Sequence, residues 1–394
     1  MTPRVIMLVA GDPSGDAIAA DLVRALAAAL PASRFIGAGG PRMAGAGVNN
    51  SFDLTADAVI GLSDVFKKLP RFLRHKRQLT RLAVEQKPDT IIHVDFSGFN
   101  RRLARAIRLA ARSRPSLGWR PWIVQYVSPQ VWASRPGRAA KMARDFDLLL
   151  CLFPFEKEWY ARHAPGFPVA CVGHPMFDTH EAPPASAPPE TPGAVPVVVL
   201  LPGSRRAELR RHLPVVLGAA RWIAARQPAR FKLVAPGDEM AALARPFISA
   251  GPPEIEIQVG RLREALSQAT LALASTGTVT LECALFGVPA VAFYKTSWLT
   301  YLIARPLVTV PHLAMPNLLA GEAIYPEFIQ RRATAASLGG AALALLADAP
   351  RRAEIRSRLA PVISSLGGPG AARRAAAAIV RLTETAAAPG TRRI

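Results

Sequence analysis

VPVVVLLPGSRRAE, Val195 to Glu208, is the stretch on which the fold turns. Val195 to Leu201 reads as a buried strand, because its hydrophobicity is continuous rather than alternating, as in parallel strands covered by helices on both faces. It runs straight into Pro202, Gly203, Ser204 and Arg205, a turn that opens a helix. Free backbone N–H groups at such a helix start attract anions, and Arg205 adds a planar cation able to grip a phosphate with two parallel hydrogen bonds. The loop can therefore hold a diphosphate, or its arginines are simply solvated.

Outward from this loop, the same alternation of apolar runs and helical periodicity fills the chain. Val5 to Val9, Arg34 to Ile36, Thr90 to Val94, Trp122 to Val127, Leu148 to Leu152 and Val169 to Val172 read as strands, with helices expected over Ala17 to Leu30 and Arg101 to Arg112. After a proline-rich stretch the rhythm restarts with Phe231 to Ala235, Ile255 to Val259, Leu271 to Ala274 and Ala290 to Phe293. The pattern predicts an α/β protein of two Rossmann-like, doubly wound parallel-sheet domains. The expected boundaries are an N-terminal domain over 1–182, a linker over 183–196, a second domain over 197–365, and a C-terminal helix and tail over 366–394. A cleft between the carboxyl ends of the two sheets is the expected ligand site.

Composition narrows the class. The chain has 394 residues, is 50% hydrophobic and carries a net charge of +21, with 41 arginines and 8 lysines. Such a field attracts nucleic acid, anionic lipid and phosphorylated substrates alike, so the sign of the charge does not choose among them. Cys151, Cys171 and Cys283 lie far apart in apolar runs, which argues for reduced thiols in a cytoplasmic protein and against a disulfide framework or a metal site. The N-terminus enters a strand without the features of a secretion signal, and no apolar run is long enough to span a membrane.

Three further loops carry candidate chemistry. Ala10 to Asp16 (AGDPSGD) leads into a helix, but its glycines are four apart and two carboxylates flank them, which suits sugar hydroxyls better than a pyrophosphate. Asp12 is a candidate catalytic group there; Ser14 or Asp16 alternatively caps the helix. Thr90 to Val94 delivers Asp95 to the strand end, where a carboxylate can act as general base; capping by Asp95 or Asn100 is the alternative. Thr276, Gly277 and Thr278 form a second hydroxyl and glycine loop, expected to share one diphosphate with Gly203, Ser204 and Arg205. Glu282, one turn on, can accept both hydrogen bonds of a ribose diol. Asp145 and Asp147 spell an acid pair used for metal-bound nucleotides, but they precede a strand instead of following one, so no metal site is assigned. Over 59–82, large apolar residues alternate with basic ones. Val65, Phe66, Lys67, Lys68, Leu69, Arg71, Phe72 and Leu73 could lie on a membrane, gaining roughly 1 kcal/mol per basic residue from anionic lipid, or pack on their own domain.

Taken together, the loops resemble the lipid A disaccharide synthases, inverting glycosyltransferases of the GT-B fold. The resemblance runs nearly end to end. It includes Ala10 to Asp16, Gly39 to Met43, Asp95 to Asn100, YVSPQVWA (Tyr126 to Ala133), LFPFEKEWY (Leu152 to Tyr160), Gly173 to Pro175, LLPGSRRAE (Leu200 to Glu208), Thr276 to Glu282 and PNLLAG (Pro316 to Gly321). It implies transfer of 2,3-diacylglucosamine from UDP-2,3-diacylglucosamine to 2,3-diacylglucosamine 1-phosphate (lipid X), forming the β-1,6 disaccharide 1-phosphate and UDP without metal or other cofactor. Asp95 then matches the base, Arg205 the diphosphate contact, Glu282 the ribose contact and Asn317 a donor-site residue. The partners so implied are these two substrates and the cytoplasmic face of the inner membrane, to which the protein would attach peripherally. Nucleic acid is excluded and a homodimer is left open. Asp12 stands where the family usually has glutamate, Gly98 where a second aspartate is usual, Ser134 where a tryptophan is usual and Thr276 where serine is common. A UDP-sugar epimerase and an inactive diverged relative are the alternatives.

Overall fold

A computed structural model describes residues 3–57, 62–178, 193–248 and 253–385; for 57, 62–69 and 385 the backbone alone is described. Residues 59–61, most of the expected linker (183–192) and the tail 386–394 lie outside the described residues. The chain divides into two compact units, Met1–His180 with Leu366–Ile394, and Glu181–Ser365.

The first unit contains β1 (Val5–Ala10), β2 (Arg34–Gly39), β3 (Asn49–Asp53), β4 (Thr90–Val94), β5 (Trp122–Tyr126), β6 (Leu148–Cys151) and β7 (Val169–Cys171). Its helices are α1 (Pro13–Ala29), α2 (Pro41–Gly45), α3 (Leu62–Gln86), α4 (Ser97–Arg112), α5 (Val131–Ser134), α6 (Ala139–Asp145) and α7 (Pro154–His163). The second unit contains β8 (Val197–Leu201), β9 (Arg230–Ala235), β10 (Ile255–Val259), β11 (Leu271–Ser275), β12 (Ala290–Tyr294) and β13 (Glu327–Ile329). Around them lie α8 (Arg206–Ala224), α9 (Asp238–Ile248), α10 (Leu262–Ser267), α11 (Thr278–Leu285), α12 (Trp298–Ala304), α13 (Met315–Ala320), α14 (Ala335–Ala347) and α15 (Ala349–Ser365). The last helix, α16 (Ala371–Thr385), belongs to the first unit.

Both sheets are parallel, ordered β3-β2-β1-β4-β5-β6-β7 and β10-β9-β8-β11-β12-β13. Their central strands are buried along their whole length, as continuous Val, Leu, Ile and Ala runs require when helices cover both faces. Strand order reverses between β1 and β4, and again between β8 and β11. Connections leave in opposite directions at such a point, so loops, not helices, line the carboxyl edge there.

Some elements depart from expectation, among them the starts of β8 and α4 and the whole of β3. β8 begins at Val197 and Val195 is exposed, because Pro196 cannot donate to a ladder and contributes only its carbonyl, to Arg230 N at 2.9 Å. α4 begins at Ser97, four residues before the expected start. β3 escapes sequence reading altogether: Asn49, Asn50, Ser51 and Asp53 have poor strand propensity, and pairing with β2 at the sheet edge overrides it.

α16 packs on α1. Asp178, nearly two hundred residues earlier in the chain, caps it: the carboxylate accepts from Gly370 N, from Ala371 N at 3.1 Å and from Ala372 N at 2.8 Å. Arg374 reaches back to Val172 O at 2.7 Å. A long-range cap of this kind replaces the local Ser or Asp that the α16 start lacks. Asp178→Ala should cost about 1–2 kcal/mol, read as a lower urea midpoint together with faster proteolytic cleavage within α16.

Candidate active site

In the first unit the candidate groups gather where the strand order reverses. Asp12 ends the turn after β1 and caps α1, its Oδ1 accepting from Gly15 N at 2.6 Å and from Ser14 Oγ at 3.0 Å. The capping role expected of Ser14 or Asp16 thus falls to Asp12. Asp16 instead is buried and ties α1 to the Gly39 to Met43 turn, accepting from Gly40 N (2.8 Å), Arg42 N (2.9 Å) and Met43 N (3.1 Å).

The glycines of this loop serve close approach. A Cβ on Gly11 would stand 2.2 Å from the Phe96 ring, and one on Gly15 would stand 3.0 Å from Asp12 Oδ1 and 3.6 Å from Asp95 Cβ. The β1 and β4 loops are therefore pressed together, and Asp12 and Asp95 flank one glycine.

Asp95 and Phe96 both adopt left-handed backbone, φ 48° and 39°, a conformation that costs a non-glycine residue on the order of 1 kcal/mol or more. Val127, at the end of the neighbouring β5, does the same at φ 68°. Buried amides hold these turns. Asn100 Nδ2 donates to Val94 O (3.3 Å) and Asp95 O (2.8 Å), while Gln125 Nε2 lies 3.1, 3.1 and 3.2 Å from the carbonyls of Asp95, Tyr126 and Val127. Winding α4 directly off the strand end is thus possible because the Asn100 amide takes up the carbonyls there; the capping position itself is Phe96.

Beneath the turn, His93 is fully buried, edge-on to Phe146, and neither ring nitrogen has a protein partner among the described residues. Burial depresses its pKa to about 3, with the neighbouring Asn100 side chain acting in the opposite direction. His93 and Gln125 went unremarked in the sequence. The only sign there was a polar residue interrupting each of two otherwise apolar strands, IIHV and IVQY.

α3 meets this loop through Phe72, whose ring lies 5.7 Å from that of Phe96 and 5.9 Å from that of Phe99. Phe72 is thus half-buried against the aromatic cluster under the β4 loop, the packing alternative expected for this segment. Arg71 and Leu73 are exposed, whereas the side chains of Val65, Phe66, Lys67, Lys68 and Leu69 lie outside the described residues. Asp145 and Asp147 are held by arginines: Asp145 by Arg101 at 3.0 Å and Arg144 at 3.3 Å, Asp147 by Arg108 at 2.8 Å.

The second unit repeats the geometry with opposite charge. After β8, Gly203 turns at φ 110° and α8 opens at Arg206, with Arg205 at its capping position. After β11, Gly277 turns at φ 128° ahead of α11. The strands are neighbours, and a Cβ on Gly203 would stand 3.4 Å from Ser275 Oγ, so the two loops meet. Arg205 is exposed and paired with Glu208 at 3.0 Å, an i,i+3 pair worth about 0.2–0.5 kcal/mol.

Neither Thr276 nor Thr278 caps α11. Buried Thr280 instead bonds Gly277 O at 2.6 Å and accepts from Met315 N at 3.2 Å, joining the loop to α13. Glu282 is largely buried; desolvation raises its pKa, while Arg263 opposes the rise. Asn317 is buried and its amide is saturated: Nδ2 donates to Tyr325 O and Glu327 Oε1, both at 2.8 Å, and Oδ1 accepts from Ile324 N (3.0 Å) and Tyr325 N (2.8 Å). A direct donor contact by Asn317 would have to break one of these bonds. His212, missed in the sequence, bridges the loop after β8 to the end of β12, with Nδ1 2.7 Å from Pro202 O and Nε2 3.0 Å from Lys295 O.

Two doubly wound parallel sheets, each with functional loops at its order reversal, define the GT-B class, shared by glycosyltransferases and UDP-sugar epimerases. Solved structures agree on the fold: a putative UDP-N-acetylglucosamine 2-epimerase from Listeria monocytogenes (TM-score 0.59, 16% identity, all of both chains) and the calicheamicin glycosyltransferase CalG4 (TM-score 0.58, 18% identity, 99% of this chain and all of the other). The family described as lipid-A-disaccharide synthetase matches residues 6–380. A lipid-A-disaccharide synthase from Alkalilimnicola ehrlichii is 38% identical over 385 residues, covering 95% of this chain and 97% of the relative. The chain belongs to the lipid-A-disaccharide synthase family.

Two outcomes follow for this site. Because the folded-state pKa of His93 is depressed, its stabilising contribution is present above the unfolded value near 6.5 and is lost as pH falls from there toward 3. His93→Leu should flatten the plot of urea midpoint against pH over that window, and an unchanged slope would contradict neutral burial. His174, held at about 4 by burial, contributes part of the remaining slope. At Gly98, a Cβ meets nothing within 4 Å, so Gly98→Asp, in the first turn of α4, should leave stability within about 0.5 kcal/mol and retain turnover.

Proposed function

We propose that the protein transfers 2,3-diacylglucosamine from UDP-2,3-diacylglucosamine to the 6-hydroxyl of lipid X with inversion, giving the β-1,6 disaccharide 1-phosphate and UDP. The observation that carries this reading is the family match over residues 6–380, joined to an acidic loop pair in one unit and an anion-binding loop pair in the other. Asp95 accepts the acceptor hydroxyl proton as the C–O bond forms at the anomeric carbon, in a single displacement. Asp12 pairs with it across Gly15, orienting the acceptor while holding the start of α1. The strained Asp95–Phe96 turn, clamped by Asn100 and Gln125, keeps the carboxylate in place without reorganisation.

On the leaving-group side, Arg205 and the N–H groups of Ser204, Gly277 and Thr278 take up the charge developing on UDP, and the Thr276 hydroxyl adds a donor. Glu282 accepts from the ribose diol, its burial giving those hydrogen bonds extra value. Asn317 acts by holding the turn between α13 and β13. Among the described residues no helix is long and apolar enough to cross a membrane; we assign the lipid contact to the outer face of α3, with Leu73 and its basic neighbours, as peripheral attachment.

The test is to incubate purified protein with UDP-2,3-diacylglucosamine and lipid X and to identify the product by mass and its anomeric configuration by NMR. Asp95→Ala should lower kcat by about 10² to 10⁴-fold with donor binding retained. A wild-type protein that binds donor yet forms no disaccharide would overturn the assignment.

A further inference from the structure

α12 and the segment that follows it present an apolar surface that the second unit does not cover. Leu299 is 70% exposed, Leu302 and Ile303 60% each and Trp298 49%, with Leu307 and Val308 continuing the patch. Residues 298, 299, 302 and 303 recur at helical spacing on one face. Contiguous apolar patches of this kind are uncommon on soluble surfaces and mark contact sites.

The helix is firmly rooted, so the exposure is built in. Ser297 caps it, accepting from Thr300 N at 3.1 Å. Thr296 N donates to Gln330 Oε1 at 2.7 Å, and Gln330 Nε2 donates back to Thr296 O at 3.2 Å. Lys295 is held by His212, whose other ring nitrogen contacts the Pro202 carbonyl of the diphosphate loop. Anchored this way, the apolar face is held outward, where it cannot fold back onto the core.

The electrostatic surroundings identify what covers it. No aspartate or glutamate occurs between Glu282 and Glu322. Arg331 lies 4.7 Å from the Trp298 ring centroid; its neighbour Arg332 is exposed, as is Arg305 directly after α12. An aromatic residue beside leucine and isoleucine, rimmed by arginines and free of acids, is the composition of an interfacial helix on anionic lipid. A second copy of this chain would set like charges against one another.

We propose that α12, with Leu307 and Val308, is a second membrane-contacting surface, carried by the donor-binding unit and resting on an anionic phospholipid bilayer. Its purpose in catalysis, placing the diphosphate loop next to the membrane that supplies a diacylated donor, rests on the assigned reaction. The surface itself does not, and vesicles without either substrate test it separately.

The experiment uses the full chain with vesicles of phosphatidylglycerol and phosphatidylcholine. Leu299→Ser/Leu302→Ser/Ile303→Ser should reduce the partition coefficient at least about tenfold while the urea midpoint and UDP binding are retained, and Leu73→Ser serves as the separate α3 comparison. Lipids brominated in their acyl chains should quench wild-type tryptophan fluorescence more than that of Trp298→Phe, which keeps the test valid should the triple variant misfold. Arg305→Glu should weaken partitioning into anionic vesicles and not into pure phosphatidylcholine. Unchanged partitioning of the folded triple variant, or equal quenching with and without Trp298, overturns the proposal. So does a halved solution mass of the triple variant with Trp298 unquenched in the wild type, which would assign the face to a second copy.

Discussion

Everything functional in this chain hangs on a constraint of parallel sheets: where strand order reverses, the outgoing connections diverge and only loops can line the carboxyl edge. β1 and β4 impose this on the first unit, β8 and β11 on the second. The two sites share a scaffold and differ in the chemistry placed on it. Carboxylates Asp12 and Asp95 stand at one; glycines, hydroxyls and Arg205 stand at the other. The proposed reaction calls on these opposite fields, acidic for the acceptor and anion-binding for the leaving group, and one topology supplies both edges.

The acidic site stores strain. Three non-glycine residues, Asp95, Phe96 and Val127, turn left-handed at adjacent strand ends, and the interior amides of Asn100 and Gln125 gather the carbonyls that these turns release. His93 below them remains neutral because burial penalises its charged form. Phe96 spans the arrangement, its ring over Gly11 and against Phe72 of α3, so the loop bearing Asp95 and the basic helix form one packed element.

Glycine positions illustrate how motif and cause differ. The AGDPSGD loop resembles a nucleotide fingerprint in outline, yet Gly11 makes room for an aromatic ring and Gly15 for two carboxylate side chains. Gly203 and Gly277 are required for backbone direction instead, each turning the chain from a strand into the start of a helix. The same residue type answers packing in one unit and conformation in the other.

Much of this was legible in the order of residues. Continuous apolar runs mark strands covered on both faces, and their alternation with helices specifies two parallel-sheet units; LLPGSRRAE, the Asp95 turn and the Thr276 to Glu282 loop mark their own places because strand-to-helix turns are local events. The sequence by itself therefore determined the fold class, the family and the candidate groups. Tertiary structure alone decided which groups share a site and which are spoken for. It placed Asp178 on α16 across nearly two hundred residues, saturated Asn317 with four protein hydrogen bonds, packed Phe72 against the β4 loop, recruited His93, Gln125 and His212, and left the face of α12 outside. Each of these outcomes depends on partners distant in sequence, and hydrogen-bond saturation and burial are properties of the assembled neighbourhood, which periodicity and spacing do not encode.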